Sequence, residues 1–244
     1  MDKRVLITGA AGGIGSAIAR AYAAQGAQVL LGYNSNRDKA QALCDDLPGT
    51  GHLVRQIPVL DSPALQSLAQ ALRTEWGHLD ILINNAGMTK MVPHADLDAL
   101  EDRDIDQIMA TNFRGPFACI RAFRPLLESS GDGLIINISS LAGTTAVGSC
   151  VAYCASKSAL NNMTMSLARA LAPKIRVVAL APGWVAGEYA SKADPAYLQE
   201  QVDKTPLKRI ATATDVAKAA LALSQAMTFS TGCIIPVDGG RPLN

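Results

Sequence analysis

Tyr153 and Lys157 stand four residues apart in Tyr153-Cys154-Ala155-Ser156-Lys157, and Ser140 lies thirteen residues before the tyrosine. On a helix, positions i and i+4 share one face, a turn apart. A phenol with a pKa of about 10 is a poor acid or base at neutral pH. A neighbouring ammonium stabilises the phenolate and brings that pKa toward the working range. A hydroxyl from Ser140 could hold a carbonyl oxygen while the tyrosine exchanges a proton with it. The chemistry these residues describe is proton transfer at a carbonyl or alcohol oxygen.

A second signal lies near the start of the chain, in Thr8-Gly9-Ala10-Ala11-Gly12-Gly13-Ile14-Gly15. A strand must turn sharply here into a helix whose N-terminal amides point at a phosphate. A Cβ on such a turn would hold the backbone too far from the phosphate oxygens. The spacing differs from the usual dinucleotide fingerprint, and no Gly-Lys-Ser/Thr follows to make a P-loop. At the end of the second strand the chain reads Leu31-Gly32-Tyr33-Asn34-Ser35-Asn36-Arg37, with no carboxylate before Asp38. NAD-preferring folds place an acid there to accept from the adenosine ribose. Polar donors and Arg37 would instead meet a 2′-phosphate, so NADP(H) is favoured, with NAD(H) as the alternative.

The elements that must position these groups alternate along the chain. Apolar runs at Arg4–Thr8, Gln28–Tyr33, His52–Val59, Leu79–Asn84, Leu134–Ser139, Arg176–Ala181 and Cys233–Val237 read as strands. They are continuous rather than alternating, as in a parallel sheet covered on both faces. Helical patterns over 14–25, 36–47, 62–76, 98–127, 152–171 and 214–226 lie between them. The expected fold is α/β: one Rossmann-like, doubly wound domain over residues 1–244, with about seven parallel strands and helices on both faces. Residues 183–212 form the one long stretch without a strand and read as a substrate lid, with a short helix over Pro195–Lys204.

Composition agrees with this class and excludes others. The 244 residues carry 22 basic and 21 acidic side chains. That balance gives no basic footprint for nucleic acid and no polybasic membrane anchor. No apolar run is long enough to span a bilayer. The N-terminus lacks the pattern of a signal peptide, and the five cysteines form no CxxC pair. The expectation is a reduced, cytoplasmic protein without a metal. His52, His78 and His94 show no ligand spacing, and the acidic run from Asp96 to Asp106 lacks the glycine of a calcium loop.

Taken in order, the glycine turn at 8–15, Asn84-Asn85-Ala86-Gly87, Asn112, Ser140, Tyr153/Lys157, Pro182-Gly183 and Val237-Asp238-Gly239-Gly240 resemble the short-chain dehydrogenase/reductases along essentially the whole chain. The resemblance implies that Tyr153 is the general acid in carbonyl reduction and the general base in alcohol oxidation. Lys157 would tune it and bind the nicotinamide ribose, and Ser140 would orient the substrate oxygen. Asn112 would hold a water that relays protons. Gly9, Gly13, Ile14 and Gly15 would contact the pyrophosphate and its ribose, with Tyr33 and Asn34 by the adenosine ribose. Asp61 and Ser62 would flank the adenine, and Asn85, Ala86 and Gly87 the adenosine half. Pro182, Gly183 and Val185 would pack on the nicotinamide. The resemblance also implies a homotetramer built through the long helices, the last strand and the C-terminal tail.

Within the family, Tyr33-Asn34-Ser35 is similar to the 3-oxoacyl-thioester reductases. Four features depart from that subgroup: Gly12 stands in place of a basic residue, Gly187 in place of a threonine, Arg209-Ile210-Ala211-Thr212-Ala213 in place of Arg-x-Gly-x-Pro, and Glu128-Ser129-Ser130-Gly131-Asp132 in place of a basic patch. That acidic stretch would repel an acidic carrier protein. The leading expectation is an NADP(H)-dependent oxidoreductase that reduces a ketone, with a 3-oxoacyl thioester among its candidates. The alternatives are an NAD-dependent alcohol, sugar or polyol dehydrogenase and a nucleotide-binding sensor without turnover. Cys150 and Trp184 are the residues placed around the substrate beside Ser140 and Tyr153.

Overall fold

Neighbouring residues of the central strands belong to two different hydrophobic cores. In a computed structural model describing residues 3–187 and 194–243, Val5 and Ile7 enter one core and Leu6 the other. Ile81 and Ile83 separate in the same way from Leu82, and Leu134 and Ile136 from Ile135. This is the two-residue period of a strand whose faces are both covered. It explains why these segments are apolar throughout rather than alternating.

The strands β1 (Arg4–Ile7), β2 (Gln28–Tyr33), β3 (Leu53–Gln56), β4 (Ile81–Asn84), β5 (Gly133–Ile138), β6 (Ile175–Pro182) and β7 (Ile234–Val237) form one sheet. Its order is β3-β2-β1-β4-β5-β6-β7, and every pairing is parallel. The order reverses between β1 and β4. That switch point opens a crevice at the C-terminal ends of the strands, where ligands of open α/β sheets bind. The expected Rossmann-like sheet is the one observed.

One core lies beneath α1 (Gly13–Ala24) and α9 (Ala213–Gln225), and includes Ile18, Tyr22, Val216 and Leu223. The other lies beneath α3 (Ser62–Glu75), α5 (Gly115–Ser129) and α7 (Val151–Leu171), and includes Leu65, Leu72, Phe123 and Leu160. Each large side chain buried in this way stabilises the fold by about 1.5–3 kcal/mol. Local signals set the helix starts. Asn36 caps α2 (Arg37–Asp45), Asp61 caps α3, and Thr212 with Asp215 closes a capping box on α9.

The helix expected over 98–127 is three pieces: α4 (Asp102–Met109), a five-residue π-helical stretch (Ala110–Arg114), and α5. Pro116 is the reason within the chain, because it has no N–H to give the Asn112 carbonyl four residues back. The α-helical ladder slips there and opens into the wider turn. A short helix, α6 (Ala142–Thr145), also fills the segment after β5. In the excursion over 183–212, residues 188–193 lie outside the described residues. The helix α8 (Pro195–Asp203) lies within it. A parallel bridge between Val185 and Ala211 joins its two ends.

Candidate active site

The glycine turn is held from across the switch point. The Thr8 hydroxyl accepts the backbone N–H groups of Asn85 and Ala86, both at 3.0 Å. The Asn85 amide donates to the carbonyls of Thr8 (3.0 Å) and Gly9 (2.9 Å). Both of its hydrogens are therefore spent on the turn itself, so Asn85, expected beside the adenosine half of the cofactor, braces the turn.

The glycines of the turn differ in what requires them. Gly9 has φ +62°, and a Cβ there would lie 3.1 Å from the Ala86 Cα. At Gly15 a Cβ would lie 2.6 Å from the Gly9 carbonyl oxygen. At Gly13 it would meet nothing within 4 Å. Gly9 and Gly15 are thus demanded by the protein's own packing. Gly13 opens onto free space at the start of α1, where the orphan amides of the helix terminus point. A space that a side chain could fill but does not, beside unpaired donors, fits a pyrophosphate.

Beside the turn lies a hollow of about 240 Å³. Gly12, Tyr33, Asn34, Ser35 and Lys39 are among its lining residues, and no carboxylate is. Arg37, the cation nearest the end of β2 in sequence, opens α2 on an exposed position and does not line this hollow; Lys39 does. The Asn36 side chain accepts the Lys39 N–H at 2.9 Å. That cap fixes which residues of the first turn face the hollow, and it is the signal from which Lys39 could have been found. Asp61 accepts from Ala64 as the cap of α3, and Ser62 accepts from Arg121.

Across the switch point, Lys157 is almost fully buried within α7. Its ammonium donates to the Ile138 carbonyl at 2.9 Å and sits 5.7 Å from the centre of the Tyr153 ring. Burial brings its pKa down to about 8, which leaves it cationic at neutral pH. A Cβ on Gly87 would come within 3.7 Å of this ammonium and 3.3 Å of Asn112 Oδ1.

The structure separates the adjacent serines at the end of β5. The Ser139 hydroxyl points inward to Asn161 Oδ1 at 2.6 Å. Ser140 is half-buried, and its hydroxyl accepts the Ala142 N–H at 3.2 Å. Its hydrogen therefore remains available to an incoming oxygen. Asn112 is buried in the π stretch, with all of its side-chain amide in use. Oδ1 accepts the Met88 N–H, and Nδ2 donates to the Met88 carbonyl and the Ser156 hydroxyl.

Pro182 ends β6, and Gly183 packs so tightly on Asp238 that a Cβ would lie 3.1 Å from its Cα. Trp184 meets the Tyr197 ring edge-on at 5.5 Å, which ties α8 to the residues after Pro182-Gly183. Val185 takes part in the bridge to Ala211, and Ile14 packs against the core beneath α1.

Cys150, placed by sequence beside the substrate, has no exposed surface. Its sulfur accepts the Tyr153 N–H at 3.4 Å as the cap of α7, within a small cluster that includes Val92, Ile108 and Ala152. Cys150 supports the start of α7 from beneath; the surface of the adjoining loops is carried by Met91 and Val147, both strongly exposed. The sequence reading also passed over Thr8, Lys39 and Ser156. Among the described residues no group of His, Cys, Asp and Glu is arranged to hold a metal ion. No helix among them is long and apolar enough to cross a membrane.

A family profile described as enoyl-(acyl carrier protein) reductase matches residues 9–241. The chain is 31% identical over 244 residues to a 3-oxoacyl-(acyl-carrier-protein) reductase of Staphylococcus aureus, covering 98% of each protein. It is 35% identical over 243 residues to a D-threitol dehydrogenase of Mycolicibacterium smegmatis, covering 98% of this chain and 92% of that one. A crystal structure of a Burkholderia xenovorans protein assigned to the short-chain dehydrogenase/reductases superposes with a TM-score of 0.91 at 35% identity. That match covers 100% of this chain and 99% of the other.

Proposed function

The chain belongs to the short-chain dehydrogenase/reductase family, and we propose that it uses NADP(H) to reduce a ketone, of the 3-oxoacyl thioester class, to a secondary alcohol. It is an oxidoreductase by family, which sets aside the sensor reading. The observation that carries the chemistry is the buried Lys157 ammonium beside the Tyr153 ring, one strand end away from the outward Ser140 hydroxyl.

The dinucleotide's pyrophosphate fits the amides around Gly13, and the nicotinamide half would lie along Pro182, Gly183 and Val185. Lys39, with Asn34 and Ser35, offers a cation and donors to a 2′-phosphate in a hollow free of carboxylates. This supports NADP(H) over NAD(H). When bound, the cofactor supplies the hydride that reduces the carbonyl carbon.

The protein's own work is at the oxygen. Ser140 donates a hydrogen bond to the carbonyl oxygen and fixes its place. Tyr153 then delivers its phenolic proton to that oxygen. The Lys157 charge stabilises the phenolate left behind, and its ammonium would hold the nicotinamide ribose. With its amide engaged by Met88 and Ser156, Asn112 has its main-chain carbonyl to offer a proton-relaying water, and Pro116 has no N–H to compete for it.

The likeness to a polyol dehydrogenase supports a second reading, oxidation of an alcohol or polyol with NAD. Against it stand the exposed apolar side chains of Met91 and Val147 on the loops beside the start of α7, and the Trp184–Tyr197 pair after Pro182-Gly183, which suit an acyl substrate better than a ring of hydroxyls. Initial rates with NADPH and with NADH, on acetoacetyl-CoA beside a panel of ketones, diketones and ketoses, decide between them. Fast turnover with NADPH on the thioester is expected. Turnover confined to NADH and a ketose would replace this reading with the second.

The same reading makes residues 1–244 one nucleotide-binding unit in which the excursion over 183–212 covers the substrate. It also makes the protein a cytoplasmic homotetramer. Exposed Ile105, Phe117 and Met165 on α4, α5 and α7, and Phe229 beside the last strand, support that assembly. Light scattering coupled to size exclusion should return four times the 25.5 kDa chain mass.

A further inference from the structure

Ser156 lies between the proton donor and its ammonium and has no part in the reaction as described above. It is fully buried. Its hydroxyl donates to the Tyr153 carbonyl at 2.8 Å and accepts from Asn112 Nδ2 at 3.0 Å. A serine inside a helix commonly bonds back to a carbonyl three or four residues earlier, which is a purely local contact. Here the same hydroxyl also takes a bond from a residue 44 positions away.

The direction of each bond in this chain is fixed. The Met88 N–H requires an acceptor, so Asn112 turns Oδ1 toward it at 2.9 Å. One hydrogen of Nδ2 then goes to the Met88 carbonyl at 2.9 Å and the other to Ser156. The single hydrogen of the Ser156 hydroxyl is left for Tyr153. Three segments meet in this run of bonds: the turn after β4, the π stretch and the first turn of α7. The flanking contacts, Lys157 to Ile138 and Ser139 to Asn161, attach α7 to β5 instead.

We propose that Ser156 is a positioning residue for proton transfer, whose hydroxyl ties the Tyr153 backbone to the Asn112 anchor and so sets the phenol between substrate oxygen and ammonium. The proposal rests on the acid–base reading of Tyr153. Without the hydroxyl, a buried Asn112 N–H is stranded and the first turn of α7 loses its link to the π stretch. Misplacement of a reacting group by about 1 Å costs about a hundredfold in rate. An interaction felt only at the transition state lowers kcat and leaves KM alone.

Ser156→Thr and Ser156→Val test this, because the two side chains have nearly the same shape and only one carries a hydroxyl. Each is assayed with NADPH and acetoacetyl-CoA, or the panel ketone turned over fastest, beside wild type and Tyr153→Phe. Thermal unfolding and NADPH fluorescence establish that each variant is folded and binds the cofactor. The expected result is kcat within about threefold of wild type for Thr, and about 10- to 100-fold lower for Val with KM nearly unchanged. Equal kcat for Thr and Val overturns the proposal, as does a parallel change in KM and kcat. If neither branched side chain is accommodated, Ser156→Ala decides: a kcat loss of at least about tenfold at constant KM supports positioning, and a smaller loss overturns it. An active Tyr153→Phe would overturn the acid–base reading and this proposal with it. An inactive Tyr153→Phe beside equal Thr and Val variants would overturn this proposal alone.

Discussion

Gly13→Ala separates ligand binding from folding at a single atom. A Cβ at Gly13 meets nothing within 4 Å, and the residue opens α1 with ordinary helical backbone. Replacing glycine by alanine in a helix is worth up to about 1 kcal/mol, so the variant should melt no lower than wild type and could melt higher. The methyl group would nonetheless occupy the space through which a pyrophosphate reaches the amides of the turn. Two charge-assisted hydrogen bonds lost at about 1.5–3 kcal/mol each amount to about 3–6 kcal/mol. At about 1.4 kcal/mol per decade, that is a rise of 10²- to 10⁴-fold in the NADPH Kd. Gly15→Ala is the opposite case. Its Cβ would stand 2.6 Å from the Gly9 oxygen and 2.8 Å from Asn85 Nδ2, so the turn itself must shift. It should lose about 1–3 kcal/mol of stability as well as binding. Differential scanning fluorimetry and titration calorimetry with NADPH read the two quantities apart. A Gly13→Ala protein that binds NADPH as wild type does would refute the assignment of this turn to the pyrophosphate.

Tyr153→Phe should reduce turnover by about 10²- to 10⁴-fold with little change in NADPH affinity, measured by steady-state rates and by fluorescence titration. Lys39→Glu should weaken NADPH by at least about tenfold while leaving NADH within about threefold, since it places a carboxylate beside a 2′-phosphate; equal losses for both cofactors would remove Lys39 from that subsite. Lys157 has its pKa held near 8 in the folded protein by burial, below the 10.5 of an ordinary lysine. The unfolded chain therefore binds more protons between those values, and the group's contribution to stability rises with pH across that window. Denaturation of wild type against Lys157→Met at pH 7 and pH 10 should show wild type gaining relative to the variant at the higher pH. Leu82→Ala, at the centre of the sheet with no exposed surface, should cost about 2–5 kcal/mol in the same assay without changing the cofactor Kd of the folded protein.

The strands were legible because both of their faces are buried, which leaves an apolar run between turn residues. The alternation of those runs with helices pointed to a parallel, doubly wound sheet; its strand order is read from the structure. The slip in the long helix was hidden for a physical reason. Apolar residues such as Ile108, Phe113 and Ala118 continue facing inward through a π turn, so periodicity alone does not mark it; Pro116 does. Around the site, the family resemblance implied Ser140 rather than Ser139, and the Ser139 hydroxyl points inward to Asn161. Lys39 was missed because reading outward from β2 favours the first cation met, Arg37, whereas the Asn36 cap decides which side chain faces the hollow. Cys150 was placed by proximity in sequence. Its role as a helix cap points it under Tyr153, a direction that depends on the extended backbone at that residue.

The reversal of strand order between β1 and β4 has a consequence for how such an enzyme can change. The groups that would read the adenosine end, Asn34 and Lys39, follow β2. Those that would meet the substrate follow β5 and β6, on the opposite flank of the switch point. Thr8 and Asn85 join the flanks by bonds from their side chains to each other's backbone, apart from the residues that would read either ligand. Selection for a different reductant pool can therefore act on one flank while selection for a different ketone acts on the other. Neither adaptation need undo its counterpart, and one scaffold can pass through many metabolic niches by small, independent steps.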